Sequence, residues 1–248
     1  YITAGCTNTM RGCRMWWNCD DGLDMIQSDG YLLIENCWAW YNGYIPDTFT
    51  IPATGANGMG FKLGNTTADY SDTFLRTVRN NISFHNRRCG FHQNNANCKM
   101  YVYNNIAYDN RNSPWGAGFH WGEYDTGNVF RNNISFDNRD ENYYGTQTLS
   151  TIDHNSYDDQ WQPTGPVVTT TDFVSVDASQ LETPRQADGS LPIINFLHLT
   201  TGSGLINAGI DVDIDTDGDG KDWDITPSLG SFEYVEQLNG YYVAPFGS

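Results

Sequence analysis

The chain has 248 residues, with 30 acidic and 13 basic side chains and a formal net charge of −17. This balance argues against a nucleic-acid partner, because no basic surface is available to neutralise phosphates. No stretch approaches the roughly 20 apolar residues of a membrane span, and Tyr1 does not begin a signal peptide, so we expect a soluble chain that is mature or truncated. The 25 glycines and 14% aromatic residues favour a turn-rich β protein over a helical one.

Two interleaved series of short motifs repeat along the chain. The first alternates and ends in asparagine, and its members are CRMWWN (13–18), CWAWYN (37–42), NISFHN (81–86), NIAYDN (105–110) and NISFDN (133–138). The members of the second are GLD (22–24), GFK (60–62), GFH (90–92) and GFH (118–120). Without loop insertions the unit is about 24 residues, which predicts an all-β parallel β-helix with coils stacked about 4.8 Å apart.

The first series predicts columns with structural roles. The terminal asparagines should form a ladder of side-chain amides along one turn, and these are Asn18, Asn42, Asn86, Asn110 and Asn138. The aromatic residues two positions earlier we interpret as a stacked core rather than a sugar platform, and these are Trp16, Trp40, Phe84, Tyr108 and Phe136. The six cysteines would permit disulfides, but we favour buried free thiols because a chain of this length can build a core without cross-links.

The repeat fades after about residue 160. We therefore divide the chain into β-helix coils with an active-site column at 1–160 and the C-terminal end of the β-helix, with a cap and an acidic loop, at 161–248. A solenoid needs its last open edge covered, and a separate small domain is the alternative. The acidic loop DTDGDGKDWD (215–224) matches the start of a calcium-binding loop without its final glutamate, so a structural calcium site and a solvated loop both stay open.

The second series predicts a column that carries chemistry. With the coils in register, the residues after Gly-Leu or Gly-Phe lie on one outward face: Asp24, Lys62, His92 and His120. A carboxylate, an amine and two imidazoles in line are an unusual composition for a solvated surface, although a chance match of short motifs would leave them as solvated strand residues. We therefore interpret this face as a candidate active site.

An acidic cluster precedes the first member of the column. Asp20, Asp21 and Asp24 lie within five residues, and such like charges repel unless a cation binds. Sulfur-free oxygen ligands suit Ca²⁺, while an acidic turn without metal is the alternative. The cluster predicts a calcium site one coil away from Lys62.

Together these residues predict a β-elimination on an acidic sugar. Calcium would bridge the protein to the C5 carboxylate, and a neutral Lys62 would remove the C5 proton before the 4-O glycosidic bond breaks. This role requires a lowered pKa for Lys62, which we expect from the nearby cation and from partial desolvation. His92 or His120 would bind a substrate oxygen or assist proton transfer.

Several ordered motifs resemble the family 9 polysaccharide lyases, the pectate lyases and their relatives. They are WWNCDDGLDMI, IENCWAWYNGY, NGMGFKLGNTT and CGFHQNNAN followed by YNNIAYDN, within about residues 12–140. The resemblance implies a right-handed parallel β-helix, bound calcium and a lysine base. Carried over by position, the calcium aspartates are Asp20, Asp21 and Asp24, and the base is Lys62.

The resemblance also implies a partner and a setting. The expected substrate is an acidic plant cell-wall polysaccharide, either polygalacturonate or the rhamnogalacturonan I backbone, and we expect a monomer that a bacterium secretes or keeps in the periplasm or at the cell surface. A further calcium aspartate of the family would lie upstream of Tyr1, so we expect this chain to lack its N-terminal coils. His92 stands where relatives often have aspartate. Arg88 and Tyr44, near the loop insertion 43–57, are further candidates for substrate binding.

Two other functions stay open at this stage. A β-helix glycoside hydrolase of pectin would use the aspartates of the cluster as acid, base or nucleophile, but it gives Lys62 no clear role. A non-catalytic carbohydrate-binding solenoid would bind the polymer without shortening it.

Overall fold

The computed structural model describes residues 6–53, 57–64, 75–111, 116–146, 148–156 and 165–236. In these ranges the chain winds through three parallel sheets, and successive coils contribute neighbouring strands to each sheet. The prediction of an all-β parallel solenoid is confirmed. The short strands stack because the backbone N–H and C=O groups that one coil leaves unpaired form hydrogen bonds with the next coil.

Strand order follows coil order in every sheet. Sheet A consists of β1 (Thr7–Arg11), β4 (Tyr31–Glu35), β7 (Leu75–Arg79), β10 (Lys99–Tyr103), β13 (Val129–Arg131) and β16 (Thr151–Asp153). Sheet B consists of β2 (Arg14–Trp16), β5 (Trp38–Trp40), β8 (Ile82–Phe84), β11 (Ile106–Tyr108) and β14 (Ile134–Phe136). Sheet C consists of β3 (Leu23–Asp24), β6 (Phe61–Lys62), β9 (Phe91–His92), β12 (Phe119–His120) and β15 (Tyr143–Tyr144).

The interior of the solenoid is an apolar column between the three sheets. Sheet C contributes a stack of rings, in which Phe61 and Phe91 have centroids 4.8 Å apart and Phe91 and Phe119 have centroids 4.9 Å apart. These three side chains are fully buried. Because alternate residues of a strand point to opposite faces, their inward packing sends the next residue of each strand outward.

Two asparagine ladders run along the turns beside sheet B. In the predicted ladder, the amide of Asn18 donates to Asn42 Oδ1 at 2.9 Å and that of Asn42 donates to Asn86 Oδ1 at 2.8 Å. The contacts continue through Asn110 to Asn138, where the amide-to-carbonyl distance is 2.8 Å. The structural role of this column is confirmed.

The second ladder lies before sheet B and was not predicted. Side-chain amides bond in sequence from Asn81 to Asn105, Asn133 and Asn155, with distances of 2.9, 3.0 and 2.9 Å. All four residues are buried, so their side-chain amides, in place of water, form hydrogen bonds with backbone groups of the turn.

The C-terminal segment 165–236 packs along sheet B. It contains two 3₁₀ helices, Thr170–Asp172 and Ala178–Glu182. Phe173 stacks on Phe136 of the last coil with centroids 5.0 Å apart, whereas Arg14 of the first coil donates to the carbonyl of Leu181 at 3.0 Å. The described part of the segment therefore covers the apolar outer face of sheet B, and the cap over the last open edge stays a prediction. The boundary at residue 160 lies outside the described residues and stays a prediction.

The acidic loop of this segment is closed by Asp217. Its Oδ1 accepts the N–H groups of Asp219 and Lys221 at 2.8 Å each, and its Oδ2 accepts the N–H of Glu233 at 2.9 Å. Burial raises the pKa of Asp217 to about 6. A fully solvated loop is therefore wrong for Asp217, since its carboxylate holds the backbone of the turn.

No disulfide joins the six cysteines, as expected. The expected burial holds for Cys37, Cys89 and Cys98, whereas Cys6 and Cys19 are exposed and Cys13 is half-buried.

Candidate active site

The predicted column lies on the outer face of sheet C. Parallel pairing aligns Asp24 with Lys62, Lys62 with His92, and His92 with His120. The pairing extends by one residue to Tyr144. We call these five residues the sheet C column.

Tyr144 was missed because the repeat changes its marker residue in the last coil. Asn142 stands where the earlier coils have glycine, so NYY (142–144) is the counterpart of GFH. The four-residue spacing from Asn138 to Asn142, the same as from Asn86 to Gly90, was the signal that would have identified Tyr144.

Lys62 reaches back to the acidic cluster. Its Nζ lies 3.1 Å from Asp21 Oδ2 and 3.0 Å from Asp24 Oδ2, and its side chain is largely buried. Two of the three predicted metal ligands, Asp21 and Asp24, therefore meet the predicted base at one place. Asp20 instead contacts the loop before β6, where its Oδ1 accepts the N–H of Asn57 at 2.7 Å.

The charge pairing sets the protonation of Lys62. Burial alone lowers the pKa of Lys62, but the hydrogen bond that Lys62 donates to Asp24 and the attraction of Asp21 outweigh burial and leave the pKa raised. The lowered pKa was predicted for a site that holds calcium, and for that state it stays a prediction, because here the paired carboxylates raise the pKa of Lys62. The physical reason is that both carboxylates lie close enough to stabilise the ammonium form.

The aspartates fit a hard divalent cation. Asp21 and Asp24 each accept one backbone hydrogen bond: Asp21 Oδ1 accepts the N–H of Met59 at 2.8 Å, and Asp24 Oδ1 accepts the N–H of Ile26 at 3.0 Å. Their Oδ2 atoms converge on a positive charge, the Lys62 ammonium. These oxygens are of the class that Ca²⁺ prefers, so the residues present are compatible with the predicted ligands.

The two histidines are neighbours in the next two coils. Their ring centroids lie 4.4 Å apart, and both side chains are buried. Burial, followed by repulsion from a protonated His120 and from the charge of Lys62, lowers the pKa of His92 to about 3, and burial lowers the pKa of His120 to about 4. Both imidazoles are therefore neutral near pH 7, as donors or acceptors rather than as cations.

The other two substrate-binding candidates lie in different surroundings. Arg88 donates to Asn57 Oδ1 at 2.9 Å, which places its guanidinium beside the loop that leads into β6. Tyr44 is buried in an aromatic cluster, with its ring centroid 5.5 Å from that of Phe49 and 6.3 Å from that of His85. The structure thus brings Arg88 toward the acidic cluster and groups Tyr44 with these aromatic rings.

Comparisons with known proteins show which proteins this chain resembles in sequence and fold. The family model described as "Pel9A-like, right handed beta helix region" matches residues 1–121. Pectate lyase L of Dickeya chrysanthemi is 36% identical over 231 residues, which are 91% of this chain and 48% of that protein. The chain is therefore similar to proteins of the Pel9A-like β-helix family. The resemblance to family 9 polysaccharide lyases that the motifs indicated is confirmed.

Solved structures extend the match to the fold of this Pel9A-like chain. Pectate lyase Pel9A superposes with a TM-score of 0.67 at 31% identity, over 91% of this chain and 51% of that one. A protein named rhamnogalacturonan lyase superposes with a TM-score of 0.65 at 27% identity, over 78% of this chain and 48% of that one. The chain spans about half the length of the relatives that it matches.

Proposed function

We propose that this Pel9A-like chain is the catalytic part of a calcium-dependent lyase that cleaves galacturonate-containing pectic polysaccharide by β-elimination. The observation that carries the proposal is the position of the Lys62 amine, in register with Asp24 and within 3.1 Å of Asp21 and Asp24. The names of the relatives, pectate lyase and rhamnogalacturonan lyase, support pectic substrates of either kind.

The acidic cluster would hold the cofactor. Calcium bound by Asp20, Asp21 and Asp24 would supply a Lewis acid for the uronate carboxylate and would compensate the carboxylate charges that now pair with Lys62. Lys62, released from these charges, keeps only the burial that lowers its pKa. The amine then accepts the C5 proton of a galacturonate, and the electron pair of that C–H bond forms the C4–C5 double bond as the 4-O leaving group departs.

Neighbouring side chains would position the polymer. Arg88 carries a guanidinium beside the loop before β6, where it can bind a further uronate carboxylate in a bidentate manner. His92 and His120 would offer uncharged ring nitrogens to sugar oxygens along the column, and Tyr44 would contact sugar from the insertion 43–57. We place the working protein outside the cytoplasm as a monomer acting on plant cell wall. No helix in the described ranges has the length and apolar character to cross a membrane.

The proposal is tested with the 248-residue chain on polygalacturonate and on rhamnogalacturonan I, with and without a chelator. A lyase leaves an unsaturated sugar end that absorbs in the ultraviolet, and chelation should abolish its formation. Lys62→Ala should lower the rate by about 10²- to 10⁴-fold, the range of a general base, while binding of the polymer is retained.

Three results would contradict the assignment. Saturated reducing ends would indicate a hydrolase, and binding of the polymer without shortening would indicate a carbohydrate-binding solenoid. Unchanged cleavage by the Lys62→Ala variant would rule out Lys62 as the base. Gly204→Ala is a matched control for handling and folding, because it adds a methyl group where no atom lies within 4 Å.

A further inference from the structure

A second cluster of metal-ligating side chains lies in the coils that follow Lys62. One ligand atom each from Cys89, His92 and His120 lie within 4.8 Å of one another, and all three residues are buried. A thiol and two imidazoles converging at one place are the ligand types of zinc sites.

The repeat explains how the fold assembles this cluster. Cys89 precedes Gly90 and His92 follows it, just as Asp21 precedes Gly22 and Asp24 follows it. These positions of successive coils are held in register by backbone bonds, such as the 2.9 Å bond from Gly60 N–H to the Cys89 carbonyl. The same positions therefore carry oxygen ligands in the first coil and sulfur and nitrogen ligands two coils later.

Glu123 supplies a fourth candidate ligand. Its Oε1 lies 3.6 Å from His92 Nε2 and 3.8 Å from His120 Nε2. Both separations exceed a good hydrogen bond, but they approach the edge of a zinc-centred tetrahedron, which is about 3.3 Å for bonds of about 2.0 Å.

Buried polar atoms at this place lack partners among the described residues. His92 Nδ1 and Glu123 Oε2 are both inaccessible to solvent and accept or donate no hydrogen bond there. Leaving such groups unsatisfied destabilises the fold, so native proteins usually pair them, hydrate them or bind them to an ion. His92 and Glu123 thus each leave one buried atom without a partner, beside the Nε2 and Oε1 atoms that face each other.

We propose that Cys89, His92, His120 and Glu123 form a binding site for a divalent cation of the zinc class, distinct in chemistry from the oxygen site at Asp20, Asp21 and Asp24. Binding transfers the Cys89 thiol proton to solvent and joins the thiolate to the metal. The two imidazoles bind as neutral ligands, and in the metal-bound chain this contact replaces the sugar contacts proposed for them above. Because the ligands come from β9, β12 and the residues beside them, the ion cross-links neighbouring coils at the C-terminal side of Lys62.

The test measures metal directly and does not depend on lyase activity. The chain is stripped with a chelator, supplied with excess calcium to fill oxygen sites, and titrated with zinc chloride and separately with cobalt chloride. We expect one equivalent of zinc to bind, the melting temperature to rise with zinc concentration, and cobalt to give a thiolate-to-metal charge-transfer band.

Variants assign the ligands. Cys89→Ala should abolish the cobalt band, and His120→Gln should keep the thiolate but raise the zinc dissociation constant by at least about tenfold. Cys19→Ser is the matched control, since it removes an exposed thiol and should change neither quantity. Circular dichroism establishes that each variant is folded.

The proposal is overturned by any of three results. The first is a folded parent chain that takes up no zinc in the presence of calcium. The second is a cobalt spectrum without a thiolate band, and the third is a band that Cys19→Ser removes while Cys89→Ala does not. Because the readouts are metal content, spectrum and melting temperature, a chain without lyase activity can still satisfy the test.

Discussion

Lys62 balances the acidic cluster at the scale of single residues. Burial raises the pKa of Asp21, while the N–H of Met59 and the charge of Lys62 oppose that rise. The amine and the carboxylates therefore depend on each other for their charged forms. This mutual dependence links the position of the base to the charge of the metal ligands, because a cation bound at the aspartates and the Lys62 ammonium compete for the same oxygens.

Asn86 illustrates the contribution of a ladder residue. Its amide donates to the carbonyl of Ala39 at 3.0 Å, and its Oδ1 accepts from the amide of Asn42 at 2.8 Å. Asn86→Ala leaves these buried groups without partners, so we expect the free energy of unfolding to fall by about 2–4 kcal/mol, measured by urea denaturation. Asn18→Ala, at the exposed end of the same ladder, is the control and should cost about 1 kcal/mol or less. Equal losses for the two variants would contradict a role based on burial.

Sequence alone located four of the five residues of the sheet C column, all but Tyr144, and did not predict their contacts. The motifs GFK and GFH place Lys62, His92 and His120 in register because a solenoid repeats the same conformation in each coil. The pairing of Lys62 with Asp21 was out of reach, because it depends on side-chain conformations across two coils. Glu123 and the ligating role of Cys89 were missed for the same reason, since Glu123 lies outside both repeat series.

At the scale of elements, sheet C requires glycine before each of its inner strands. A Cβ on Gly60 would lie 2.7 Å from the carbonyl oxygen of Gly90 and 2.2 Å from Ser83 Oγ. Contacts this short require the coils to move apart, and β6 carries Lys62 two residues later. The glycine series is therefore a consequence of close backbone approach between the turn and the next coil.

Gly60→Ala tests this packing. We expect the free energy of unfolding to fall by about 1–3 kcal/mol, as in overpacked cores, with a loss of cleavage rate because Lys62 shifts relative to Asp24. Thermal denaturation and product absorbance measure the two effects. Gly204→Ala has open space around the added methyl group and should change neither. A stable and fully active Gly60→Ala variant would show that the close approach has no structural role.

At the scale of the whole molecule, the solenoid and its C-terminal segment form two apolar cores that share sheet B. Ala39 and Ala107 face the interior column, whereas Trp40 and Phe84 face the segment 165–236. The repeat predicted the coils because periodicity is a local property of the sequence. It could not predict where the segment packs, because that region has no repeat and its contacts span more than a hundred residues, as for Arg14 and Leu181.

Phe196 is the test of whether these cores unfold together. Its buried ring lies 5.4 Å from that of Phe84 and 6.5 Å from that of Tyr108, across the boundary between segment and sheet. Phe196→Ala should lower the free energy of unfolding by about 3–5 kcal/mol in a single transition seen by circular dichroism and by tryptophan fluorescence, because sheet B would lose its cover. Ile225→Ala, in the same segment but 98% exposed, is the control and should stay within about 0.5 kcal/mol of the parent. If the segment were an independent domain, Phe196→Ala would instead produce an early, separate transition that leaves the coils and the cleavage of pectic polymer intact.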